Sequence, residues 1–557
     1  MVSLKRVEDR PTPPEVYNWR IWMLAAIAAS AAIMIGYDSA FVGGAIVLKG
    51  FANDFGKLST PTKANLVSTY QAGAFFGAFA GYPLGHFIGR RWGITICAIV
   101  FTVGAVIMTI AHKSTGLAPI FAGRALAGLG IGAASNLAPI YISEISVPSI
   151  RGQLVGLYEI GWQIGGLVGF FINYGVSVNL IPNTTQWRIP FAIQIIPGGL
   201  LVLGAPFLIE SPRWLLTRNR NEEAAKNLSR IRNLDSNHPY VVEELREMHD
   251  ALDKERKLLG SDSFWAPFRE TFGTTRVLWR LILGSSMFIF QNGTGINAIN
   301  YYSPTVFSSL GITGTNTGLL TTGIFGVIKT LGAIIWILLL IDNLGRRRIL
   351  MTGSSFCSMA MLAIAVYIAV AKPSLHTGEG LTSAGRFALA CFYIWTLGYG
   401  CTWNGTPWVI GSEIFPQQSR TLGMACMAAS NWLYNFAISM GTPRAFIDIG
   451  WGFYLIFCVI TLISIPYVFF LLPETKGVPL EHMDRLFSMR PRYNAGPRLL
   501  AELQVEHSQS FTHSHAGNVN AFGAHERDSN GQNSFSESEE KNNNLNLNNA
   551  DAGAKFA

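Results

Sequence analysis

Long apolar runs alternate with short polar stretches along most of this chain. A bilayer crossing takes about 20 apolar residues, and the chain contains twelve such runs. Their centres lie near positions 33, 74, 102, 130, 165, 199, 293, 328, 360, 397, 431 and 461. The pattern predicts an all-α membrane protein with twelve transmembrane helices, and the first helix would direct the chain to the membrane without a cleaved signal peptide.

The longest internal polar stretch, 209–276, divides the apolar runs into two sets of six. It is rich in Glu, Arg, Lys and Leu, and its apolar spacing suits short amphipathic helices on the membrane surface. We expect a tail over 1–19, a six-helix half over 20–208, this linker, a second half over 277–472 and a largely disordered tail over 473–557. Both tails and the linker would lie in the cytosol.

The two halves repeat the same charged positions. A Gly-Arg-Arg triplet occurs at 89–91 and again at 345–347. A glutamate precedes an arginine by seven residues in both halves, as Glu144 and Arg151 and as Glu413 and Arg420. Duplicated halves around a site near the bilayer midplane are the architecture expected of a secondary transporter.

Composition narrows the function further. Only 14% of the 557 residues are charged, whereas a soluble chain has about 25%. The formal net charge of +8 resides in short basic clusters between apolar runs, which is typical of membrane topology and not of a nucleic-acid partner. All six cysteines lie in apolar runs without metal-ligand spacing, and we find no nucleophile–base set or phosphate loop. We therefore expect neither a metal site nor an enzyme.

One stretch carries a family resemblance. Residues 121–152 read FAGRALAGLGIGAASNLAPIYISEISVPSIRG, which contains G-R-x3-G-x-G followed by P-x-Y-x2-E-x2-P-x3-R-G. This pattern closely resembles the signature of sugar porters, a branch of the major facilitator superfamily. The resemblance implies the major facilitator fold and transport by alternating access.

The resemblance also implies a cytosolic gate made of repeated charges. Ion pairs between the halves would stabilise one conformation and break in the other. The alternative is that these charges only set topology. The predicted gate residues are Arg90, Arg91, Glu144, Arg151, Glu210, Arg346, Arg347, Glu413, Arg420 and Glu474.

Two charges lie deep within apolar runs. Asp38 falls in the first run and Arg124 in the fourth, where each costs about 2.5–3.5 kcal/mol on insertion scales. We expect them to pair. The family resemblance places Asp38 where proton-coupled members carry their proton-accepting aspartate, although a purely structural pair is the alternative.

The substrate site is expected in the second half. Gln291, Asn292 and Asn297 are side chains that both donate and accept hydrogen bonds, as a polyol requires. The stretch 291–302, QNGTGINAINYY, resembles the sugar-binding motif of the family. Trp403 and Asn431 match positions where the family has an aromatic platform and an amide. The alternative for the amides is hydrogen bonding between helices.

Two positions depart from the sugar porter pattern. Lys329 stands where sugar transporters commonly have asparagine, and Glu159 where they commonly have glutamine. A lysine suits an anionic carboxylate better than a neutral hexose, and Glu159 could balance it in the empty site or bind hydroxyls when protonated. A structural Lys–Glu pair is the alternative.

Several segments, among them LYEIGWQIGG, FQNGTGINAINYYSP and TWNGTPWVI, resemble the fungal quinate permease branch of the family. The resemblance implies a proton-coupled importer of quinate in the plasma membrane. Galacturonate, a neutral pentose or hexose, and a nutrient-sensing role remain alternatives. We expect a monomer without a cofactor, in which the proton is a co-substrate.

Overall fold

The computed structural model describes residues 12–259, 265–312, 314–373, 382–416, 419–476, 478 and 482–503. These ranges consist of helices joined by turns and short connections, and they contain no strand. The disorder predicted for the end of the chain falls mainly on residues outside them. A short helix, Met483–Ser488, nevertheless lies within the region that we assigned to the tail.

The first half contains eight helices. They are α1 (Trp19–Ala45), α2 (Lys49–Phe55), α3 (Thr60–Phe87), α4 (Arg90–Thr109), α5 (Ala118–Ile145), α6 (Arg151–Asn179), α7 (Thr184–Ile193) and α8 (Ile195–Gly204). Helix α1 begins after Asn18, whose side-chain oxygen accepts hydrogen bonds from the N–H groups of Arg20 and Ile21. This cap satisfies donors that the first helical turn leaves free.

Helix α5 approaches α3 so closely that backbone meets backbone. A Cβ atom on Gly128 would lie 2.1 Å from the carbonyl oxygen of Tyr70, and one on Gly132 would lie 2.0 Å from that of Ala74. No side chain fits there, so glycine is required at both positions. The Gly-rich run is therefore a packing surface of the kind that joins membrane helices, and it brings Arg124 against α3.

The linker is helical, and the second half follows it. The linker contains α9 (Pro212–Thr217), α10 (Asn221–Arg232), α11 (Pro239–Leu259) and α12 (Ala266–Gly273). The second half contains α13 (Thr275–Gly293), α14 (Ile296–Ser309), α15 (Thr315–Ile335), α16 (Ile341–Leu344), α17 (Arg346–Ala371), α18 (Ser383–Gly400), α19 (Thr406–Ile414), α20 (Arg420–Asp448) and α21 (Gly452–Leu471). A π-helical turn, Trp336–Leu340, connects α15 to α16. Met483–Ser488 is α22.

Eight helical segments of the described chain are long and apolar enough to cross a membrane by length and composition. The other four predicted spans coincide with α3, α13/α14, α18/α19 and α20. Two of these are interrupted, at Thr294–Gly295 and within 401–405. The remaining two, α3 and α20, are long enough but more polar, and they pack against each other.

Each half has its own hydrophobic core. One buried cluster is formed mainly by α1, α3, α4, α5 and α6, and the other mainly by α13, α14, α17, α18, α20 and α21. The halves meet where α3 packs on α20, α6 on α15 and α1 on α14. Polar side chains that point into this meeting zone define the candidate site.

Candidate functional site

One end of the bundle holds Arg90, Glu144, Arg346 and Glu413, and we call it the charged end. Arg90 donates from Nε to Glu144 Oε2 at 3.0 Å and from Nη2 to Oε1 at 2.8 Å. Arg346 donates from Nη2 to Glu413 Oε1 at 2.9 Å. Such charge-assisted bonds are the strong ones. Each pair joins two residues of the same half, the first pair in the first half and the second pair in the second, although we expected ion pairs between the halves.

Glu210 and Glu474 each cap a helix, and their role in a gate stays a prediction. Glu210 accepts hydrogen bonds from the first two N–H groups of α4 at 2.9–3.3 Å, and Glu474 from those of α17 at 2.9 and 3.1 Å. Burial raises the pKa of the Glu210 carboxyl, against the lowering effect of these N–H groups. Each helix follows a glycine of positive φ, +96° at Gly89 and +86° at Gly345. This geometry explains why the Gly-Arg-Arg triplet is repeated.

The other predicted gate arginines also lie at the charged end. The guanidinium groups of Arg91 and Arg347 lie over aromatic rings, 5.0 and 4.5 Å from the ring centroids. Arg151 is the first residue of α6 and Arg420 the first of α20. Both helices pack against a helix of the other half. A gating role for these two arginines stays a prediction.

The structure pairs Asp38 with Arg124, as expected. Arg124 Nη1 donates to Asp38 Oδ1 at 3.3 Å, and both side chains are fully buried. Its Nη2 donates to the carbonyl oxygen of Val67 at 3.1 Å. Asp38 Oδ2 is buried and has no hydrogen-bond partner among the described residues. Arg124 therefore contacts one carboxylate oxygen of Asp38, and the other oxygen can accept a proton.

A narrow cavity of about 30 Å³ lies between the halves, and we call it the central pocket. It is lined by Glu159, Trp162, Gln291, Asn297, Asn300, Lys329, Tyr399, Asn404, Trp408, Asn431 and Asn435. Five of these were predicted from the sequence, namely Glu159, Gln291, Asn297, Lys329 and Asn431. Amides, aromatic rings and two opposite charges suit a small polar ring compound.

Hydrogen bonds to one another and to backbone carbonyls at a helix break fix the orientation of the amide side chains. Gln291 donates both side-chain N–H groups to backbone carbonyls in the break between α18 and α19, at 2.8 and 2.9 Å. Its side-chain oxygen has no hydrogen-bond donor among the described residues and can therefore accept from a ligand. Asn292 donates to Asn431 Oδ1 at 3.2 Å and accepts from Asn297. Asn292 therefore lies behind the central pocket and positions the amides that line it.

The prediction that Trp403 forms an aromatic platform is wrong. Its ring is buried in the core of the second half, and its Nε1 donates to Ser354 Oγ at 2.9 Å. Trp408, five residues further on, lines the central pocket instead, together with Trp162 and Tyr399. Trp403 lies within the break between α18 and α19, whereas Trp408 lies in the first turn of α19, so the two rings point in different directions.

Six lining residues were not predicted from the sequence. They are Trp162, Asn300, Tyr399, Asn404, Trp408 and Asn435. Helical spacing could have found three of them, because side chains three or four residues apart share a helix face. Trp162 follows Glu159 by three residues, Asn300 follows Asn297 by three, and Asn435 follows Asn431 by four. The other three lie at or beside a helix break, where that rule does not apply.

Lys329 and Glu159 line the same pocket but are not within ion-pairing distance in the described structure. Glu159 Oε1 accepts from Gln163 Nε2 at 2.6 Å and from Asn404. Lys329 Nζ makes one hydrogen bond among the described residues, to Asn300 Oδ1 at 3.4 Å. An ammonium has three donors, so the buried Lys329 is under-bonded and a direct structural Lys–Glu pair is not what the structure shows.

Two helical halves around a polar pocket, with duplicated charges at one end, define a secondary transporter. The chain belongs to the family described as "Sugar (and other) transporter", whose sequence pattern matches residues 24–487. It is a multi-pass membrane transporter of the major facilitator superfamily and not an enzyme.

Curated relatives cover nearly the whole chain. A "Probable quinate permease" of Aspergillus niger is 52% identical over 515 residues, which span 91% of this chain and 95% of that protein. The "Quinate permease" of Emericella nidulans is 52% identical over 515 residues, which span 92% and 96%. This chain is therefore similar to fungal quinate permeases along almost all of its length.

Solved structures of a xylose transporter have the same fold. The proton:xylose symporter XylE bound to 6-bromo-6-deoxy-D-glucose is 25% identical, with a TM-score of 0.71 over 84% of this chain and 99% of XylE. The inward-open form of XylE from E. coli has a TM-score of 0.65 over the same shares. The described chain thus resembles the ligand-bound form more than the inward-open one.

Proposed function

We propose that this protein imports a polyhydroxylated carboxylic acid, with quinate as the expected substrate, in symport with protons. The observation that carries the proposal is Lys329, a buried ammonium in an amide-lined pocket that makes a single 3.4 Å hydrogen bond to the residues that the structure describes. A carboxylate would give this ammonium a charged partner, whereas a neutral sugar would not. The similarity to quinate permeases supports the same substrate.

In this proposal, the substrate hydroxyls bind to the amides. The free side-chain oxygen of Gln291 accepts from a hydroxyl, and the N–H groups of Asn431 donate to another. Trp408 covers the apolar face of the ring. Glu159, held by Gln163 and Asn404, accepts from hydroxyls on the side of the first half. The carboxylate of the substrate binds Lys329.

Asp38 and Arg124 form the proposed proton site. The carboxylate is fully buried, and within the described part of the chain one of its oxygens is hydrogen-bonded and the other is not. Movement of Arg124 away from Asp38 would leave a buried charge without its counter-ion, and protonation would relieve it. The proton is then a co-substrate, and no cofactor is needed.

The charged end is the proposed cytosolic gate. The basic clusters between the spans follow the positive-inside rule if this end, the linker and both termini lie in the cytosol. Arg151 and Arg420 would hold the halves together there when the carrier faces outward. We propose the plasma membrane as the location and a monomer as the working unit.

Uptake in a transport-deficient host tests the proposal. Cells expressing the protein are given labelled quinate, galacturonate or glucose at several external pH values. We expect quinate to accumulate, more strongly at acidic external pH, and the other two compounds to compete weakly. Preference for galacturonate or glucose would assign a different substrate, and binding without uptake would indicate a nutrient sensor.

A further inference from the structure

Trp432 belongs to the second half but lies between aromatic rings of the first. Its ring centroid is 5.8 Å from that of Tyr70, edge to face, and 6.4 Å from that of Trp162, nearly parallel. Its indole N–H donates to Ser135 Oγ at 3.3 Å. Helix α20 thus inserts one fully buried side chain against α3, α5 and α6.

Tyr70 in turn contacts the buried ion pair. The guanidinium of Arg124 lies 5.2 Å from the centroid of the Tyr70 ring, a distance at which a cation is attracted to the ring face. Arg124 also donates to the carbonyl oxygen of Val67, one helical turn before Tyr70. Helix α3 therefore holds Arg124 at two points while Arg124 holds Asp38 at one.

The other end of this set of contacts reaches the central pocket. Trp162, which stacks on Trp432, lines the pocket, and so does Asn431, the residue before Trp432. A continuous series of contacts therefore runs from the pocket through Trp432 and Tyr70 to Arg124. It crosses from the second half to the first.

We propose that Trp432 and Tyr70 are positioning residues that link the state of the central pocket to the Asp38–Arg124 pair. When the halves are closed, Trp432 keeps the Tyr70 ring over Arg124, and Arg124 stays on Asp38. When the halves move apart, Trp432 leaves with α20, Tyr70 and Arg124 shift, and Asp38 is free to exchange its proton. The proposal rests on the proton role of Asp38 but not on which substrate is carried.

Other ionisable groups face Asp38 as well. They are Arg124 on α5, Tyr70 on α3, Tyr301 on α14 and the adjacent Tyr37. Tyrosine ordinarily ionises near pH 10 and arginine above 12. Asp38 is therefore the member of this cluster whose titration the link would control.

Ring and hydroxyl variants of Tyr70 test the link. We expect Tyr70→Phe to behave nearly as the unmodified protein, because it keeps the ring over Arg124 and the Tyr70 hydroxyl has no hydrogen-bond partner among the described residues. Tyr70→Leu and Trp432→Leu remove a ring, and each should lower uphill accumulation by about tenfold, a factor equal to about 1.4 kcal/mol. Downhill exchange should be retained, and the dependence of uptake on external pH should flatten.

The measurements use whichever of labelled quinate, galacturonate or glucose the unmodified protein accumulates. Phe79→Leu is the control, since Phe79 lies on α3 and its ring is exposed. Equal losses of accumulation and exchange with an unchanged pH profile would mean that the two rings only pack, and would overturn the proposal. A Tyr70→Phe variant as defective as Tyr70→Leu would overturn the role of the ring. Asp38→Asn, measured in parallel, separates these results from a failure of the proton site itself.

Discussion

In both halves, an arginine that begins one helix pairs with a glutamate near the end of another, Arg90 with Glu144 and Arg346 with Glu413. The interiors of the halves differ. The first buries an ion pair between the unbroken helices α1 and α5, whereas the second breaks α13/α14 and α18/α19 beside the central pocket. Broken helices free backbone groups that can orient amides near a ligand. The two halves are thus alike at the charged end, while their interiors are specialised differently.

The specialisation is not complete. Glu159 belongs to the first half, yet it accepts a hydrogen bond from Asn404 of the second. Trp432 belongs to the second half and packs among rings of the first. Because these contacts join the two halves, a substrate bound between the halves can affect side chains of both.

The largest expected effect tests the interior of the first half. Asp38→Asn keeps the size of the side chain and removes its charge, so uphill accumulation should vanish while some downhill exchange remains. Accumulation ratio and external pH are measured in the same cells. Asp448→Asn, in an exposed ion pair of α20, is the control and should change neither. Undiminished accumulation with alkalinisation of the medium would place the proton site elsewhere.

The next effect tests the interior of the second half. Lys329→Asn should weaken quinate binding by about ten- to a hundredfold, because a hydrogen bond to a charged group contributes about 1.5–3 kcal/mol. A neutral polyol should be nearly unaffected or bind better. Competition assays with acid and neutral compounds measure both.

Glu159 complicates this test, since it is left as an unbalanced buried charge when Lys329 is removed. The double variant Lys329→Asn with Glu159→Gln is therefore measured alongside. Equal losses for acid and neutral compounds in both variants would make Lys329 a structural residue and remove the main support for an acid substrate.

A smaller effect tests whether the two halves contribute equally to the charged end. Arg151→Ala and Arg420→Ala should each lower the transport rate by about tenfold, as a loss of about 1.4 kcal/mol would, because in the proposed gate each loss would destabilise the outward-facing state. The amount of protein in the membrane should be unchanged, which surface labelling can verify. Normal rates in both variants would mean that these arginines only set topology.

The last test compares the stability of the two helix caps and is expected to leave transport least affected. Gly89→Ala and Gly345→Ala impose a strained backbone and place a Cβ 2.5 and 2.6 Å from the capping carboxylates. Each should destabilise the protein by about 1–3 kcal/mol, seen as a lower midpoint in thermal unfolding of the purified protein. Gly199→Ala is the control, because nothing lies within 4 Å of its Cβ position. Unequal shifts would show that the halves depend on their caps differently.

The sequence by itself determined the helical membrane fold, the duplicated halves and five of the eleven residues that line the central pocket. Apolar length predicts a span wherever it occurs, and the repeated Gly-Arg-Arg and Glu–Arg spacings mark equivalent positions without any knowledge of packing. Asp38 and Arg124 could be paired because each is costly alone within a membrane. These are local or pairwise properties, and they are readable from residue order.

Only the tertiary structure decided which side chains meet. Trp403 lies in the break between α18 and α19 and enters the core, whereas Trp408 lies on α19 and enters the central pocket. Glu210 and Glu474 cap helices because the chain returns to the starts of α4 and α17. Helix rotation and helix breaks depend on contacts with distant segments, which the order of residues does not display.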